Sequence, residues 1–377
     1  MVYKEAVRKG ICTGCGLCAY VCPIDCIEMV EDREGFLYPQ IDSSRCTNCG
    51  ICRKACSAHN VCSQNISIYR TIAAQLIDNN LLIKSASGGA FIGLAIEVIK
   101  NGGVVVGVVD DIKEGARFRI AHKIDDVYFM VGSKYFQCDL EVRIYEEIYS
   151  LLTKGIRVLF SGTPCQIWAI KNGIQEEFQE NLFLVEIICQ GVPSKKIVGC
   201  YHDYINRTRK KKVEQHYYRS KDITETGRYT TKLVYSTGEV EVKIGEADLY
   251  SRAFQRKIYL RESCYKCKFT NLHRVADVTI GDFWGLQSNK IDVKKGVSVI
   301  LISTLKGEKL WESSKHLFIS EEKVLADIVN SNKPLTASVK RPWYRMISYK
   351  MLDIIGFSLT TRLLCCRYYL RRLLKRK

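Results

Sequence analysis

Two groups of four cysteines near the N-terminus are the residues best suited to chemistry. Both groups have the spacing Cys-x2-Cys-x2-Cys-x3-Cys, and together they comprise Cys12, Cys15, Cys18, Cys22, Cys46, Cys49, Cys52 and Cys56. Three cysteines spaced in this way can reach three corners of one iron–sulfur cubane, and the fourth then binds the other cluster. The spacing therefore predicts two [4Fe–4S] clusters, one bound by Cys12, Cys15, Cys18 and Cys56 and the other by Cys46, Cys49, Cys52 and Cys22.

A pair of zinc sites is the competing interpretation of these cysteines. Zinc frames usually join two CxxC or CxxH pairs across a longer loop, whereas here each group of four lies within eleven residues. Ser57 follows Cys56 where proline is usual, which removes no ligand. Cys26 and Cys62 lie outside both frames, and we expect them to be buried thiols.

Beyond about residue 66 the segments alternate between strand and helix character. Buried strands are predicted over residues 102–109, 157–160 and 181–188, and helices over Ala90 to Lys100 and Leu140 to Leu152. Short β-rich runs from about 213 to 245, broken by Thr237-Gly238, predict a hairpin region. This alternation indicates a mixed α/β core.

Three loops in this core have residues that could bind an anion. Residues 85–90 (SASGGA) form a Gly/Ser-rich turn that opens a predicted helix, although many such turns only cap helices. Residues 132–137 (GSKYFQ) combine a cation, a hydroxyl and an aromatic ring. Residues 161–165 (SGTPC) follow a buried strand and begin a helix, where α/β folds bind ligands.

A third set of four cysteines is scattered through the core. It consists of Cys165, Cys189, Cys264 and Cys267, of which only the last two form a CxxC pair. A further cluster, a structural zinc site and buried thiols are all compatible with this spacing.

Six strings match a known family in their order along the chain. They are SGG from Ser87, GSKY from Gly132, SGTPCQ from Ser161, CQGVPS from Cys189, RESCYKC from Arg261 and DVTIGDFWG from Asp277. With the N-terminal cysteines, the match covers roughly residues 1–335. On these strings the chain resembles the coenzyme F420 hydrogenase/dehydrogenase beta-subunit family, which also includes chlorophyll-related reductases.

The cysteine spacing, the resemblance and the basic C-terminal segment together predict an α+β fold in three parts. A two-cluster ferredoxin-like domain would occupy residues 1–65, a mixed α/β flavin-binding core residues 66–335, and a basic amphipathic tail residues 336–377. The core would bind FAD noncovalently beside a third [4Fe–4S] cluster with Cys165, Cys189, Cys264 and Cys267 as ligands. Asp282 and Trp284 would line the site, although an aspartate that caps a turn is the competing view. The implied contacts to the flavin phosphates and ring are Ser87, Gly88, Gly89, Lys134 and Thr163.

The chain departs from the family pattern at two positions. The family usually has histidine where this chain has Gln190, and glutamine cannot carry a proton near neutral pH. Glu262 stands where the family usually has proline, which affects local rigidity more than chemistry. No catalytic residue is predicted.

The resemblance implies an iron–sulfur flavoprotein oxidoreductase. Electrons would pass between a ferredoxin-like or F420-like donor and an unidentified acceptor through the clusters and FAD. The alternative is an electron-transfer subunit or module without its own substrate, which serves a partner enzyme, for example in surface-polysaccharide biosynthesis. The expected partner is a redox protein such as ferredoxin, or a deazaflavin.

The charge and the N-terminal residues bear on two further questions, nucleic-acid binding and location. The formal charge is +17, and three clusters of about −2 each would lower it to about +11. The basic run from Arg209 to Lys212 has no interleaved aromatics, so we expect a solvated loop and no nucleic-acid binding. The first ten residues leave no room for an apolar signal segment, which favours a cytoplasmic protein.

Residues 341–377 have ten Lys and Arg residues and one acid, Asp353. From Leu359, the apolar positions 359, 363, 366, 370, 373 and 374 share one face of a predicted helix. This pattern is typical of a helix that lies on an anionic membrane, and it predicts peripheral contact with the inner face of the membrane. The alternative is a helix packed on the core with a solvated basic face.

Overall fold

The computed structural model describes residues 10–59, 67–112, 115–221, 223–224 and 229–374 of the chain. Cys62, predicted to be a buried thiol, lies outside these ranges.

The N-terminal part combines two short helices with a hairpin. Its elements are α1 (Leu17–Tyr20), β1 (Ile27–Glu31), β2 (Leu37–Ile41) and α2 (Ile51–Lys54), and β1 pairs antiparallel with β2. Each helix begins directly after a left-handed glycine, Gly16 or Gly50, within a cysteine motif. A Cβ on Gly16 would lie 2.5 Å from the carbonyl oxygen of Leu140, so the packing of this loop on the core requires glycine.

The strands of the core form two further sheets. They are β3 (Arg70–Leu76), β4 (Val104–Asp111), β5 (Gly115–Ala121), β6 (Val158–Gly162), β7 (Leu182–Ile187), β8 (Val213–Tyr217), β9 (Thr230–Tyr235), β10 (Val240–Ile244), β11 (Val278–Asp282), β12 (Ser298–Ile302) and β13 (Phe318–Lys323). The large sheet has the order β13-β3-β12-β11-β7-β6-β4-β5, and β4, β6, β7 and β11 run parallel at its centre. Strands β10, β9 and β8 form a small antiparallel sheet.

Helices cover both faces of the large sheet. The helices after α2 are α3 (Asn79–Lys84), α4 (Ala90–Lys100), α5 (Ile124–Tyr128), α6 (Val142–Thr153), α7 (Pro164–Gly173), α8 (Lys195–Arg209), α9 (Leu249–Gln255), α10 (Leu305–Ser314), α11 (Ala326–Val329) and α12 (Arg345–Leu374). Short 3-10 turns lie at Glu176–Asn181, Gly245–Ala247, Glu262–Lys266, Val293–Lys295, Lys315–Leu317 and Lys333–Leu335. Helix α12 is bent at Gly356, whose φ of 76° is not helical.

Two apolar cores follow from this layering. One contains Leu94 of α4 and Trp311 of α10, and the other contains Tyr145 of α6 and Ile167 of α7. Along β4, Val105 faces the first core and its neighbours on either side face the second, because side chains alternate across a strand.

The sequence-based expectations for these elements are largely confirmed. The predicted mixed α/β core is present, and the three predicted buried strands correspond to β4, β6 and β7. The predicted helix over Ala90 to Lys100 is α4, while α6 begins two residues later than expected. The hairpin region is a three-stranded sheet, in which Thr237-Gly238 connects β9 to β10. Within the described residues, no helix is long and apolar enough to cross a membrane.

Candidate functional site

The thiols of the two N-terminal motifs lie close enough to affect one another's pKa. Burial raises the pKa of Cys15, and the nearby thiols of Cys12 and Cys56 raise it further. Burial likewise raises the pKa of Cys52, whose thiol neighbours are Cys22, Cys49 and Cys46. The fourth cysteine of each motif therefore lies beside the other motif's triplet. The assignment of four ligands to each cluster stays a prediction from the spacing.

Cys26 is buried, as predicted, but it also contacts a predicted ligand. Its Sγ lies 3.5 Å from Sγ of Cys22. We refer to Cys22, Cys46, Cys49 and Cys52 as the outer cysteine set. Cys26 therefore places a further thiol beside Cys22 of this set, a contact that its position in the sequence did not indicate.

A cavity of about 520 Å³ lies against the carboxyl ends of the central strands and the first cysteine motif. Of the five predicted flavin contacts, Ser87, Gly89, Lys134 and Thr163 line it. Asp282 and Trp284 line it as well. Gly88 lies behind the lining, where a Cβ would come within 2.2 Å of the carbonyl oxygen of Ala74 in β3.

The third cysteine set also lines this cavity. Its four members are Cys165, Cys189, Cys264 and Cys267. Burial raises the pKa of Cys189, and the other three thiols raise it further. The structure thus brings together cysteines from three separate parts of the sequence. No group of three or more Cys, His, Asp or Glu among the described residues is arranged to bind a single metal ion.

Local backbone geometry fixes two of these four thiols. Cys165 lies in the first turn of α7, where Thr163 precedes the helix and places its Oγ1 3.2 Å from the cysteine Sγ. The backbone N–H of Gly191 donates to Sγ of Cys189 across 3.4 Å. A helix N-terminus and a backbone N–H both favour negatively charged sulfur.

Arg261 connects the first N-terminal motif to the third cysteine set. Its buried guanidinium donates to the carbonyl oxygens of Cys12 at 2.8 Å and Leu37 at 2.7 Å. Nη2 lies 3.8 Å from Sγ of Cys12, and the charge also interacts with Cys264. The sequence analysis used Arg261 only to anchor a matching string and missed this bridging position.

Lys134 has its ammonium group directed at backbone oxygens. Nζ donates to the carbonyls of Met130, Val131 and Gly132 at 2.7, 3.0 and 3.3 Å. Burial lowers its pKa to about 8, against the opposing effect of Asp110. Because an ammonium has three donors and all three have partners here, Lys134 would act on a bound anion mainly through its charge.

Two further cations near the Gly/Ser-rich loop were not predicted. Arg219 donates from Nη1 to both carboxylate oxygens of Asp282, at 2.8 and 2.7 Å, and its guanidinium lies 5.4 Å from the ring centre of Trp284. Asp282 is therefore one half of an ion pair, which differs from the turn cap considered above. Lys221 donates to the carbonyl of Ser87 at 2.7 Å, and burial lowers its pKa to about 7.

The hydroxyls of Ser87 and Thr163, which are predicted to contact the flavin, already donate hydrogen bonds within the protein. The Ser87 hydroxyl donates to the carbonyl of Val297 at 2.7 Å. The Thr163 hydroxyl donates to Oε1 of Gln166 at 2.9 Å, and the same oxygen accepts from the Thr163 backbone N–H at 3.0 Å. This capping box fixes the start of α7.

Comparisons with known proteins match two separate parts of the chain. Residues 155–324 match the family model described as the C terminus of the coenzyme F420 hydrogenase/dehydrogenase beta subunit. Residues 11–60 match the model of the 4Fe-4S dicluster domain. No curated protein matches the chain.

Among solved structures, the chain is similar to part of the F420-reducing [NiFe] hydrogenase complex from Methanosarcina barkeri, in a structure with xenon derivatization. The identity is 18%, the TM-score is 0.47, and the match covers 68% of this chain and 82% of that chain.

The family matches confirm the resemblance drawn from the sequence strings. The N-terminal match spans both cysteine motifs, and the C-terminal match includes all four cysteines of the third set. The chain therefore joins a 4Fe–4S dicluster domain to a domain of the coenzyme F420 hydrogenase/dehydrogenase beta-subunit family, and it is an iron–sulfur electron-transfer protein of the oxidoreductase type.

Proposed function

We propose that the chain is an iron–sulfur flavoprotein oxidoreductase. It passes electrons between a ferredoxin-like or F420-like donor and an acceptor through three [4Fe–4S] clusters and FAD. The observation that carries the proposal is the shared cavity: the third cysteine set and four of the five expected flavin contacts line the same space.

The order of the predicted cluster sites suggests an electron path. Cys49, in the outer cysteine set, is exposed to solvent. The inner set (Cys12, Cys15, Cys18 and Cys56) faces the core, where Tyr145 donates to the carbonyl of Cys15 at 2.8 Å. Arg261 then lies between the inner set and the third set. A partner would therefore exchange electrons at the outer set, and the cavity would lie at the opposite end of the path.

The residues around the cavity fit a flavin nucleotide. Helix α4 begins at Ala90 on the cavity wall, and its first backbone N–H groups would favour a phosphate. Lys134 lines the cavity and adds positive charge, and Arg219 lines it as one half of the ion pair with Asp282. Flavin would supply the exchange between two-electron and one-electron chemistry that connects a hydride donor to clusters. The chain itself orients the ring, excludes water and supplies positive charge.

Cofactor content tests the proposal directly. Anaerobically purified protein should contain about twelve irons and one FAD per chain, since each cubane holds four irons. Replacing both Cys264 and Cys267 with serine should remove about four irons and leave the two N-terminal clusters. Cys366→Ser is the matched control, because this thiol is exposed and far along the chain from the motifs. About eight irons in the unsubstituted protein would exclude the third cluster, and absence of flavin would exclude the flavoprotein.

The second candidate is an electron-transfer subunit that has no substrate of its own. It is favoured by the exposed outer set, where Cys49 and Ile51 offer a partner a thiol and an apolar side chain at the surface. Protein that oxidises reduced F420, or reduces a small acceptor with ferredoxin as donor, supports the oxidoreductase. Flavin-free protein with about eight irons and no such activity supports the second candidate.

A further inference from the structure

The outward face of α12 and the residues just before it is apolar. Its side chains are exposed even though they are large: Trp343 is 74% exposed and Ile354 80% exposed. The exposed apolar residues of this face are Trp343, Met346, Ile347, Ile354, Leu359 and Leu363. They recur at helical spacing on either side of Gly356. We refer to this set as the outer face.

The opposite side of α12 is already packed on the protein. Tyr349, Leu352, Phe357 and Cys365 are buried against α8 and α9. A helix with one solvated side normally has polar residues there, with apolar residues only on the side facing the core. The alternative considered from the sequence is a helix packed on the core with a solvated basic face. The packing on the core is observed, but the exposed face also has large apolar side chains. The outer face is an apolar surface that no described part of the chain covers.

Two exposed cations lie beside the outer face. The one acid of this segment, Asp353, accepts from Nζ of Lys196 at 2.7 Å, whereas Arg341 and Arg345 are already paired with Glu262 and Glu34. Lys350 and Arg362 lie between the exposed apolar residues and are themselves exposed. An ordinary protein surface would place apolar patches among charges of both signs. A surface with exposed apolar residues and positive charge matches the boundary of a bilayer that contains anionic lipids.

Trp343 gives a second reason to favour a lipid surface. Tryptophan is enriched where membrane and water meet, because its ring is apolar and its indole N–H is polar. Trp343 stands at the start of the outer face, two residues before α12 begins. Since no described helix could span a membrane, the contact would lie along the membrane surface.

We propose that the outer face binds the surface of a membrane that contains anionic lipids. The apolar side chains enter the boundary between headgroups and acyl chains, and the basic residues pair with lipid phosphates. This places the electron-transfer protein on a membrane, independently of whether its cavity binds FAD.

Vesicle binding by the holoprotein tests this proposal. Deletion of residues 341–377 would uncover the apolar surface of α8 and α9 on which α12 packs, so substitutions on the outer face are the better variants. The triple variant Trp343→Ser, Ile354→Ser and Leu363→Ser removes exposed apolar groups only. The matched control replaces Ile77, Phe129 and Leu305 with serine, since Phe129 and Leu305 are 73% and 78% exposed on other elements.

We expect the protein to sediment with vesicles of mixed phosphatidylcholine and phosphatidylglycerol, and to bind vesicles of phosphatidylcholine alone more weakly. The triple variant should bind about tenfold or more weakly, and the control triple should bind like the unsubstituted protein. Absence of sedimentation, equal binding by both triple variants, or equal binding to the neutral vesicles would each overturn the proposal. So would a dimer that the outer-face triple alone converts to monomer, because the face would then bind a second copy.

Tryptophan fluorescence provides an independent measurement. The chain has four tryptophans, and Trp168 and Trp311 are buried. Anionic vesicles should shift the emission to shorter wavelength as Trp343 leaves water, and Trp343→Ser should abolish the shift. A shift that persists in Trp343→Ser would contradict insertion at this residue.

Discussion

Arg261 is a buried cation that lies close enough to the inner cysteine set to affect the reduction potential of a cluster there. It donates to two carbonyls of the N-terminal domain, and its guanidinium lies 4.3 Å from the ring centre of Tyr38. A fixed cation favours the more negative, reduced form of a nearby cluster. It also fills the space between two predicted cluster sites with a group that cannot lose its proton. Arg261 should therefore raise the reduction potential of the inner cluster.

Replacing Arg261 with glutamine tests this electrostatic role. The variant should lower the potential of the inner cluster by about 60 mV, which corresponds to a tenfold change in a one-electron equilibrium. Arg261→Lys keeps the charge and should shift the potential less. Anaerobic redox titration followed by electron paramagnetic resonance provides the measurement. If the glutamine variant and the unsubstituted protein titrate alike, the charge does not act on the cluster.

The sequence contains a spacing rule for the cysteines but none for the polar residues around them. Cluster ligands reveal themselves because the cubane imposes a spacing on them, as in the two N-terminal motifs. No such rule applies to Arg219 or Lys221, which follow β8 and pair with Asp282 and the Ser87 carbonyl. Their positions depend on how β8 and the following residues fold back on the core, and a single sequence carries no signal for that.

At the scale of elements, the turn into α4 depends on close approach between two backbones. Gly88 lies against β3 and β12, where an added Cβ would be 2.2 Å from the carbonyl oxygen of Ala74 and 2.4 Å from the backbone nitrogen of Ser298. Neither atom can move without breaking the pairing of these strands. Gly88 therefore allows the start of α4 to pack closely on the sheet. The next residue, Gly89, lines the cavity.

Gly88→Ala should consequently destabilise the protein by about 3 kcal/mol or more, a value at the high end for single substitutions. Gly199→Ala is the matched control, since Gly199 lies inside α8 and an added Cβ there would meet open space. Alanine at this helical position should be neutral or stabilise by up to about 1 kcal/mol. Anaerobic urea unfolding of both variants measures the difference. Equal stabilities for the two alanine variants would refute the close-approach argument.

Periodicity located the regular elements but not the direction in which they face. The pattern in α4 predicted its ends because the helix is apolar and the Gly-Gly and Asn-Gly pairs flank it. The same kind of pattern in α12 identified an apolar face that, over Leu359 and Leu363, points to solvent. Amphipathicity distinguishes two sides of a helix, and only the tertiary packing decides which side meets the core.

At the scale of the whole molecule, the N-terminal domain, the core and α12 meet at one buried ion pair. Arg345 of α12 donates from Nη1 and Nη2 to the two carboxylate oxygens of Glu34, at 3.0 and 2.6 Å. Its Nε donates to the carbonyl of Leu260 at 2.9 Å. Glu34 lies between β1 and β2 of the ferredoxin-like domain, and its own carbonyl accepts from the Ser194 hydroxyl at 2.5 Å. One guanidinium thus joins three parts of the chain.

A double-mutant cycle measures how far this pair couples those parts. Glu34→Leu leaves a buried guanidinium without its carboxylate, and Arg345→Leu leaves the Glu34 carboxylate and the Leu260 carbonyl without their donor. Each single variant should lose about 3–5 kcal/mol of unfolding free energy. Because the first substitution already removes the interaction, the double variant should lose at least about 2 kcal/mol less than the sum of the single losses. The exposed pair Glu141–Arg143 is the control and should couple by about 1 kcal/mol or less. Additive losses at Glu34 and Arg345 in anaerobic urea unfolding would show that this ion pair does not couple the three parts.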